Sequence, residues 1–238
     1  MNLVCWMAGM LAVGLALEAR AEKRVLMVVT SHDRIDDAHP TGLWLEEFAT
    51  PYELFRGEGY AVTVASTKGG AAPVDPRSLA DKDRFKPDTL DALKATVPLA
   101  GVALTDFDAV FFPGGHGTMY DLPNDAHVAA AVTHFLTQDL PIALVCHGPA
   151  ALVGATLPDG SPAVKGRKVT AFTDAEERAV ELDDEMPFLL ETKLREQGGV
   201  FAGAENFVEH VVVDGNLVTG QNPASSEAAA RALIQLLP

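Results

Sequence analysis

Ile142-Ala143-Leu144-Val145-Cys146-His147-Gly148-Pro149-Ala150 is the stretch on which the fold turns. Four apolar residues without a break predict a strand covered on both faces, the habit of parallel sheets. The residues from Gly148 onward read as a helix, and one cysteine stands at the junction. Outward from this unit the pattern repeats. Apolar, β-branched runs at 24–30, 61–65, 108–112, 169–172, 211–213 and 217–219 read as strands. Residues 42–58, 126–138, 148–155, 186–197 and 225–237 read as helices. That alternation specifies α/β architecture: a doubly wound, mostly parallel sheet with helices on both faces and right-handed crossovers. Residues 68–96, polar and rich in Pro, Asp and Lys, are predicted to leave the sheet as an excursion. Long excursions of this kind are often functional. In open α/β sheets sites form beyond the carboxyl ends of the strands. Four loops predicted there carry the unusual residues: 31–42, 113–117, 146–149 and 173–177.

A cysteine at a strand–helix junction has the geometry of a nucleophile elbow, in which a tight turn exposes the side chain above the sheet. The following helix is predicted to aim its first amides at the sulfur of Cys146 and favour the thiolate, the competent nucleophile. Buried structural cysteines are common, but a core position gives no reason for His-Gly-Pro to follow. Phe112-Pro113-Gly114-Gly115-His116-Gly117 is a second loop built for close backbone approach. Paired with the elbow, it predicts an oxyanion hole from the amides of Gly115 and His147, with Gly114 and His116 against the substrate. His32 and His39, in the loop after the first strand, are solvated or help to close the pocket. The histidines here lack the i, i+4 helical spacing of a metal site, so no metal and no cofactor are expected.

The 238 residues suffice for one large domain or two small ones. A composition of 48% hydrophobic and 21% charged residues excludes a disordered chain and a polytopic membrane protein. Against 18 Lys+Arg stand 33 Asp+Glu, a net charge of −15. So acidic a surface repels phosphate backbones and anionic lipids, which argues against nucleic-acid and membrane partners. Two cysteines exclude a disulfide scaffold and a cysteine-rich zinc site. Residues 3–17 form an apolar run shorter than the roughly 20 residues a bilayer demands. With Ala19-Arg20-Ala21 after it, the run reads as a signal peptide, 1–21, cleaved before Glu22. The expectation is an exported, periplasmic or secreted protein whose single domain is 22–238. Cleavage removes Cys5 and leaves Cys146 as the lone thiol. An extra N-terminal helix packed on the domain is the competing reading.

Five segments carry a family resemblance: FFPGGHGTMYDLPND (111–125), VCHGPAALV (145–153), VTAFTDAEE (169–177), LVTGQNPASS (217–226) and TGLWLEEFATPYELFRGEGY (41–60). Together, in order, they resemble the ThiJ/PfpI family, related to class I glutamine amidotransferases. The last is similar to its glyoxalase III and heat-shock-chaperone-like branch. The resemblance implies a flavodoxin-like α/β sandwich and a homodimer. It also implies a glyoxalase III-type lyase of the D-lactate dehydratase class, converting methylglyoxal or a similar 2-oxoaldehyde to a 2-hydroxy acid without glutathione or metal. Carried over, Cys146 is the nucleophile, His147 its adjacent histidine and Glu177 the triad acid, with Glu176 the competing choice. Glu47, with Glu46 competing, faces the nucleophile from the helix after the first strand. Burial beside a thiolate should hold it protonated near neutrality, as a hydrogen-bond donor to sulfur. Amidotransferases place a distant histidine two residues before a glutamate. No histidine here has that neighbour, which argues against glutamine hydrolysis. The rival readings are a holdase chaperone or stress protein, and a peptidase or deglycase on the same triad.

Overall fold

In the structure, a computed structural model, residues 22–237 are described. The predicted leader at 1–21 lies outside them. Strand β1 (Arg24–Val29) explains why the sheet is covered twice. Leu26 and Val28 enter one apolar cluster, whereas Val25, Met27 and Val29 enter another. Side chains alternate across a strand, so an unbroken apolar run must be buried on both sides.

Six more strands complete the sheet: β2 (Ala61–Ser66), β3 (Val97–Pro98), β4 (Ala109–Phe112), β5 (Ile142–Val145), β8 (Val211–Asp214) and β9 (Leu217–Gly220). Their order is β3-β2-β1-β4-β5-β9-β8, and every neighbour is parallel except β8 with β9. Helices α1 (Leu45–Gly57) and α8 (Ser226–Leu236) cover the Met27 face. On the Leu26 face lie α4 (Ala126–Thr137), α5 (Ala150–Val153) and α7 (Leu190–Glu196). The chain runs from β1 out to β3 and returns to β4 on the other side of β1. That reversal opens a crevice at the carboxyl ends of β1 and β4; the glycine loop leaves β4 there and the cysteine loop leaves the adjacent β5. Among the described residues no helix is long and apolar enough to cross a membrane.

Several elements depart from the sequence reading. The strand expected at 169–172 shortens to β6 (Lys168–Val169), which pairs with β7 (Val200–Phe201) in a separate two-stranded sheet. Beyond Val169 the chain turns inward instead, where the Phe172 amide donates to the Cys146 carbonyl at 2.9 Å. The helix expected at 148–155 is only α5, because its first turns close through i to i+3 bonds such as Ala150 N–H to His147 O. The excursion at 68–96 is structured: a 3₁₀ segment (Pro76–Arg84), then α2 (Pro87–Asp91), then a return to the sheet at β3. Two short helices complete the order, α3 (Thr118–Asp121) after the glycine loop and α6 (Asp174–Ala179) after the inward turn.

Phe135 on α4 is fully buried against the Leu26 face. Phe135→Ala should lower the unfolding free energy by about 3–5 kcal/mol through lost burial and a residual cavity. Urea titration followed by circular dichroism measures it, and a loss below about 1 kcal/mol would mean this face is not packed as described.

Candidate active site

Cys146 ends β5 with φ +59°, in the left-handed region that side chains rarely adopt. Neighbours hold it there. Its amide donates to Gly220 O and its carbonyl accepts from Phe172 N–H, both at 2.9 Å, while Gly148 N–H closes the turn on Val145 O at 2.7 Å. The loop after β4 packs directly on this elbow. A Cβ on Gly114 would stand 2.6 Å from the His147 amide nitrogen, and one on Gly148 would stand 2.3 Å from Phe112 O. These two glycines are therefore required by contact between backbones. Gly115 adds a φ of +98°.

The sulfur of Cys146 lies 3.3 Å from His147 Nδ1, and His147 Nε2 lies 2.7 Å from Glu177 Oε2. Glu177 rides on α6, whose first turn is set by a capping box between Thr173 and Glu176. Burial opposes ionisation of Glu177, but His147 and His116 outweigh it and hold the carboxyl well below the usual range. A carboxylate only accepts, so His147 Nε2 carries the proton and Nδ1 presents a lone pair to the thiol.

Glu47, from the first turn of α1, is fully buried. Its Oε2 accepts Gly114 N–H at 2.7 Å. Its Oε1 has no hydrogen-bond partner among the described residues, and the carboxyl neighbours the Cys146 thiol. Burial pushes its carboxyl up to about 8, so at neutral pH it is protonated. Glu46 instead points outward and pairs with Arg84. Glu176 is equally removed from the chemistry. Its Oε1 accepts Phe207 N–H at 2.8 Å and Asn222 Nδ2–H at 2.9 Å, tethering the loop before β8.

Two expectations change. Burial, then Glu47, pushes the Cys146 thiol well above its ordinary value. The short α5 begins four residues beyond the sulfur and does not offset that burial, so no standing thiolate is favoured. Gly114 is not a substrate donor, because its amide is taken by Glu47. The amides of Gly115 and His147 donate to no acceptor among the described residues, and both residues line the cavity over the sulfur. They remain free to hold a developing oxyanion.

That cavity has a volume of about 350 Å³, walled by Trp44, Phe172, Val180, Phe207 and Pro223 around Cys146, with Arg77 and His116 at its polar side. A larger cleft of about 520 Å³ shares Pro223 but is lined by Glu46, Arg84, Lys86 and Glu209 and contains no nucleophile. His116, expected only as a substrate contact, bonds Glu177 Oε1 through Nε2 at 2.8 Å. His32 stacks on Tyr120 and His39 pairs with Asp36, neither beside the sulfur. Arg77, Trp44 and Phe207 were absent from the sequence reading. The length of the 68–96 excursion was the one signal for Arg77. Among the described residues, His116, His147 and Glu177 are the group with spacing a metal ion could use. Their facing atoms already hydrogen-bond one another, and the remaining imidazole nitrogens engage Arg77 and Cys146.

Fold and site define a class: doubly wound α/β proteins with a cysteine at a nucleophile elbow, oriented by a His–Glu pair. The chain belongs to the DJ-1/PfpI family, whose pattern matches residues 40–236. It is 30% identical to "Glyoxalase 3" of Candida albicans, over 89% of this chain and 97% of that protein. The crystal structure of glyoxalase III from Candida albicans superposes with a TM-score of 0.84 at 28% identity, covering 91% of this chain and 98% of that one. The Rapid Encystment Protein 24 KDa of Francisella tularensis superposes with a TM-score of 0.87 at 35% identity, covering 91% and 99%.

The raised Glu47 carboxyl has a measurable consequence. The unfolded chain releases this proton near 4.5 and the folded protein only near 8. Between those values the folded state binds more protons, so stability falls as pH rises. Glu47→Gln removes the effect. Wild type and variant should respond alike only well below pH 4.5, where Glu47 is protonated in both states, and wild type should lose on the order of a few kcal/mol relative to the variant between pH 4.5 and pH 8. Chemical denaturation across that range is the measurement. Parallel stability curves would show that Glu47 is ionised throughout.

Proposed function

We propose that this chain is a glutathione-independent glyoxalase that converts methylglyoxal or a related 2-oxoaldehyde to the 2-hydroxy acid. The observation that carries this reading is a buried Cys146 sulfur 3.3 Å from a His147 nitrogen whose partner nitrogen is bound to Glu177. A cavity of about 350 Å³ above it suits a small carbonyl compound better than an extended peptide. The likeness to glyoxalase 3 over nearly the whole chain supports the same chemistry.

His147 Nδ1 accepts the thiol proton as sulfur adds to the aldehyde carbon, forming a hemithioacetal, and the new oxyanion is held by the Gly115 and His147 amides. The oxyanion takes a proton, leaving Nδ1 free to remove the hydrogen from the former aldehyde carbon. The enediol that forms collapses by protonation at the neighbouring carbon, giving a 2-hydroxy thioester. Water activated by His147 hydrolyses it, releasing the acid and restoring the thiol. One water is consumed and no external oxidant or reductant is needed. Protonated Glu47 faces the sulfur as a neutral donor, where an anion would repel the thiolate.

Cys146→Ser should fold normally and lose turnover of 2-oxoaldehydes, because a hydroxyl is far harder to ionise at this site. A panel of small aldehydes, peptides and glutamine on both proteins decides it. Retention of more than about a tenth of wild-type turnover would overturn covalent catalysis through Cys146.

We further propose that the protein is exported and homodimeric. The first rests on the apolar run and the Ala-x-Ala site, the second on family resemblance and half-exposed apolar residues such as Val208 and Val213. Amino-terminal sequencing of protein from the native cell envelope should begin at Glu22. An intact Met1 on soluble intracellular protein would overturn export.

A further inference from the structure

Glu177 holds histidines on both of its oxygens, and only one of them is the neighbour of the nucleophile. On Oε2 is His147; on Oε1 is His116, 2.8 Å away and nearly as buried. The outer nitrogen of His116, Nδ1, lies 3.0 Å from Arg77 Nη2. A guanidinium has donors only, so this contact dictates the imidazole's protonation: Nδ1 accepts, and the single ring proton sits on Nε2, donated to Glu177. Arg77 is itself fixed. Its Nε and Nη2 meet the two oxygens of Asp75 at 3.0 and 2.6 Å, and fully buried Asp75 also accepts from Thr41 Oγ1 at 2.9 Å and from the Arg77 amide at 2.9 Å. A continuous hydrogen-bonded line runs from the excursion at 68–96 to the sulfur: Asp75, Arg77, His116, Glu177, His147, Cys146.

We propose that Arg77 and His116 are a positioning pair for the catalytic base: Arg77 locks His116 as a neutral Nε2–H donor, and His116 locks Glu177 so that His147 alone takes up the thiol proton. The groups facing His116 are Glu177 from α6, His147 from the elbow after β5, and Arg77 from the 3₁₀ segment, with Asp75 behind Arg77. The His116 and His147 ring centroids are 4.3 Å apart. A charge on His116 would therefore oppose protonation of His147, the step that generates the thiolate. Burial first, and then His147, lowers His116 to about 4, so the locked neutral form persists through the working range. Releasing Nδ1 from Arg77 gives His116 a free basic site between Glu177 and Asp75, and the two imidazoles then compete for one proton.

This inference rests on the base role assigned to His147, and its test is separable from the identity of the substrate. The readouts are nitrogen-15 NMR of the histidine rings and the pH dependence of Cys146 alkylation by iodoacetamide, neither of which requires turnover. In wild type, His116 Nδ1 should be unprotonated and Nε2 protonated at every pH from 5 to 9, with no titration. In Arg77→Lys, which keeps a cation beside Asp75 but removes the fixed contact to Nδ1, the His116 ring proton should divide between Nδ1 and Nε2, and alkylation at neutral pH should slow. His116→Leu should slow alkylation at neutral pH by at least about tenfold, the scale on which groups that orient a reactive residue act. His116→Gln, which restores a donor to Glu177 without a titrating ring, should recover most of that loss. A wild-type His116 protonated on Nδ1 would overturn the proposal without any variant. So would equal alkylation rates in His116→Leu and His116→Gln. If the NMR and alkylation results hold while the aldehyde panel fails, the pair stands and the substrate assignment falls.

Discussion

The rest of the site depends on one strained residue. Cys146 sits at φ +59° at the end of a central strand, a conformation that costs roughly 1–2 kcal/mol for a residue with a side chain. The sheet supplies the compensation. Its two hydrogen bonds, to Gly220 at the end of β9 and from Phe172 on the inward turn, join segments that are remote in the chain. Without the left-handed turn the sulfur would continue the strand's alternation into the core. With it, the sulfur faces the cavity while Val145 stays buried below. The glycines of the neighbouring loop follow from the same constraint, since Gly114 and Gly148 lie where any Cβ would collide with backbone.

Three buried glutamates, Glu47, Glu176 and Glu177, meet different fates, and environment alone separates them. Glu47 has one backbone donor and no cation, so burial dominates and keeps it protonated. Glu177 is also buried, but two imidazoles donate to it and keep it an anion. Glu176 accepts from Thr173, Phe207 and Asn222 and acts as a structural clasp. A neutral acid lies on one side of the Cys146 sulfur and an imidazole backed by an anion on the other, the arrangement on which the proposed proton transfer from sulfur to imidazole rests. The apolar wall of Trp44, Phe172 and Phe207 strengthens every one of these interactions by excluding water.

Strands β1, β4, β5 and β9 were legible because their apolar runs are unbroken, and a run buried on both faces needs no tertiary information to be recognised; β3, two exposed residues, was not read as a strand. The elbow was legible for the same reason, as a cysteine interrupting such a run before Gly148. β7, two residues long and in a separate sheet, carried no such run. The strand expected through Phe172 was lost to the pull of the Cys146 carbonyl, a contact no local pattern encodes. Glu47 and Glu177 entered through family motifs, since an acidic chain offers many glutamates of equal local merit. A single step along α1 separates Glu47, facing the sulfur, from Glu46, facing Arg84.

By itself, then, the sequence determined the α/β class, the position of the nucleophile and the glycine loop beside it, all of which depend on residues close together in the chain. The neutral Glu47 was expected once its burial was inferred, but only the tertiary structure decided the rest of the site's protonation. The thiol's resistance to ionisation and the Arg77–His116–Glu177 line arise from burial and from contacts between residues 39 and 61 positions apart. Burial and long-range contact set a proton's free energy, and neither exists until the chain has folded.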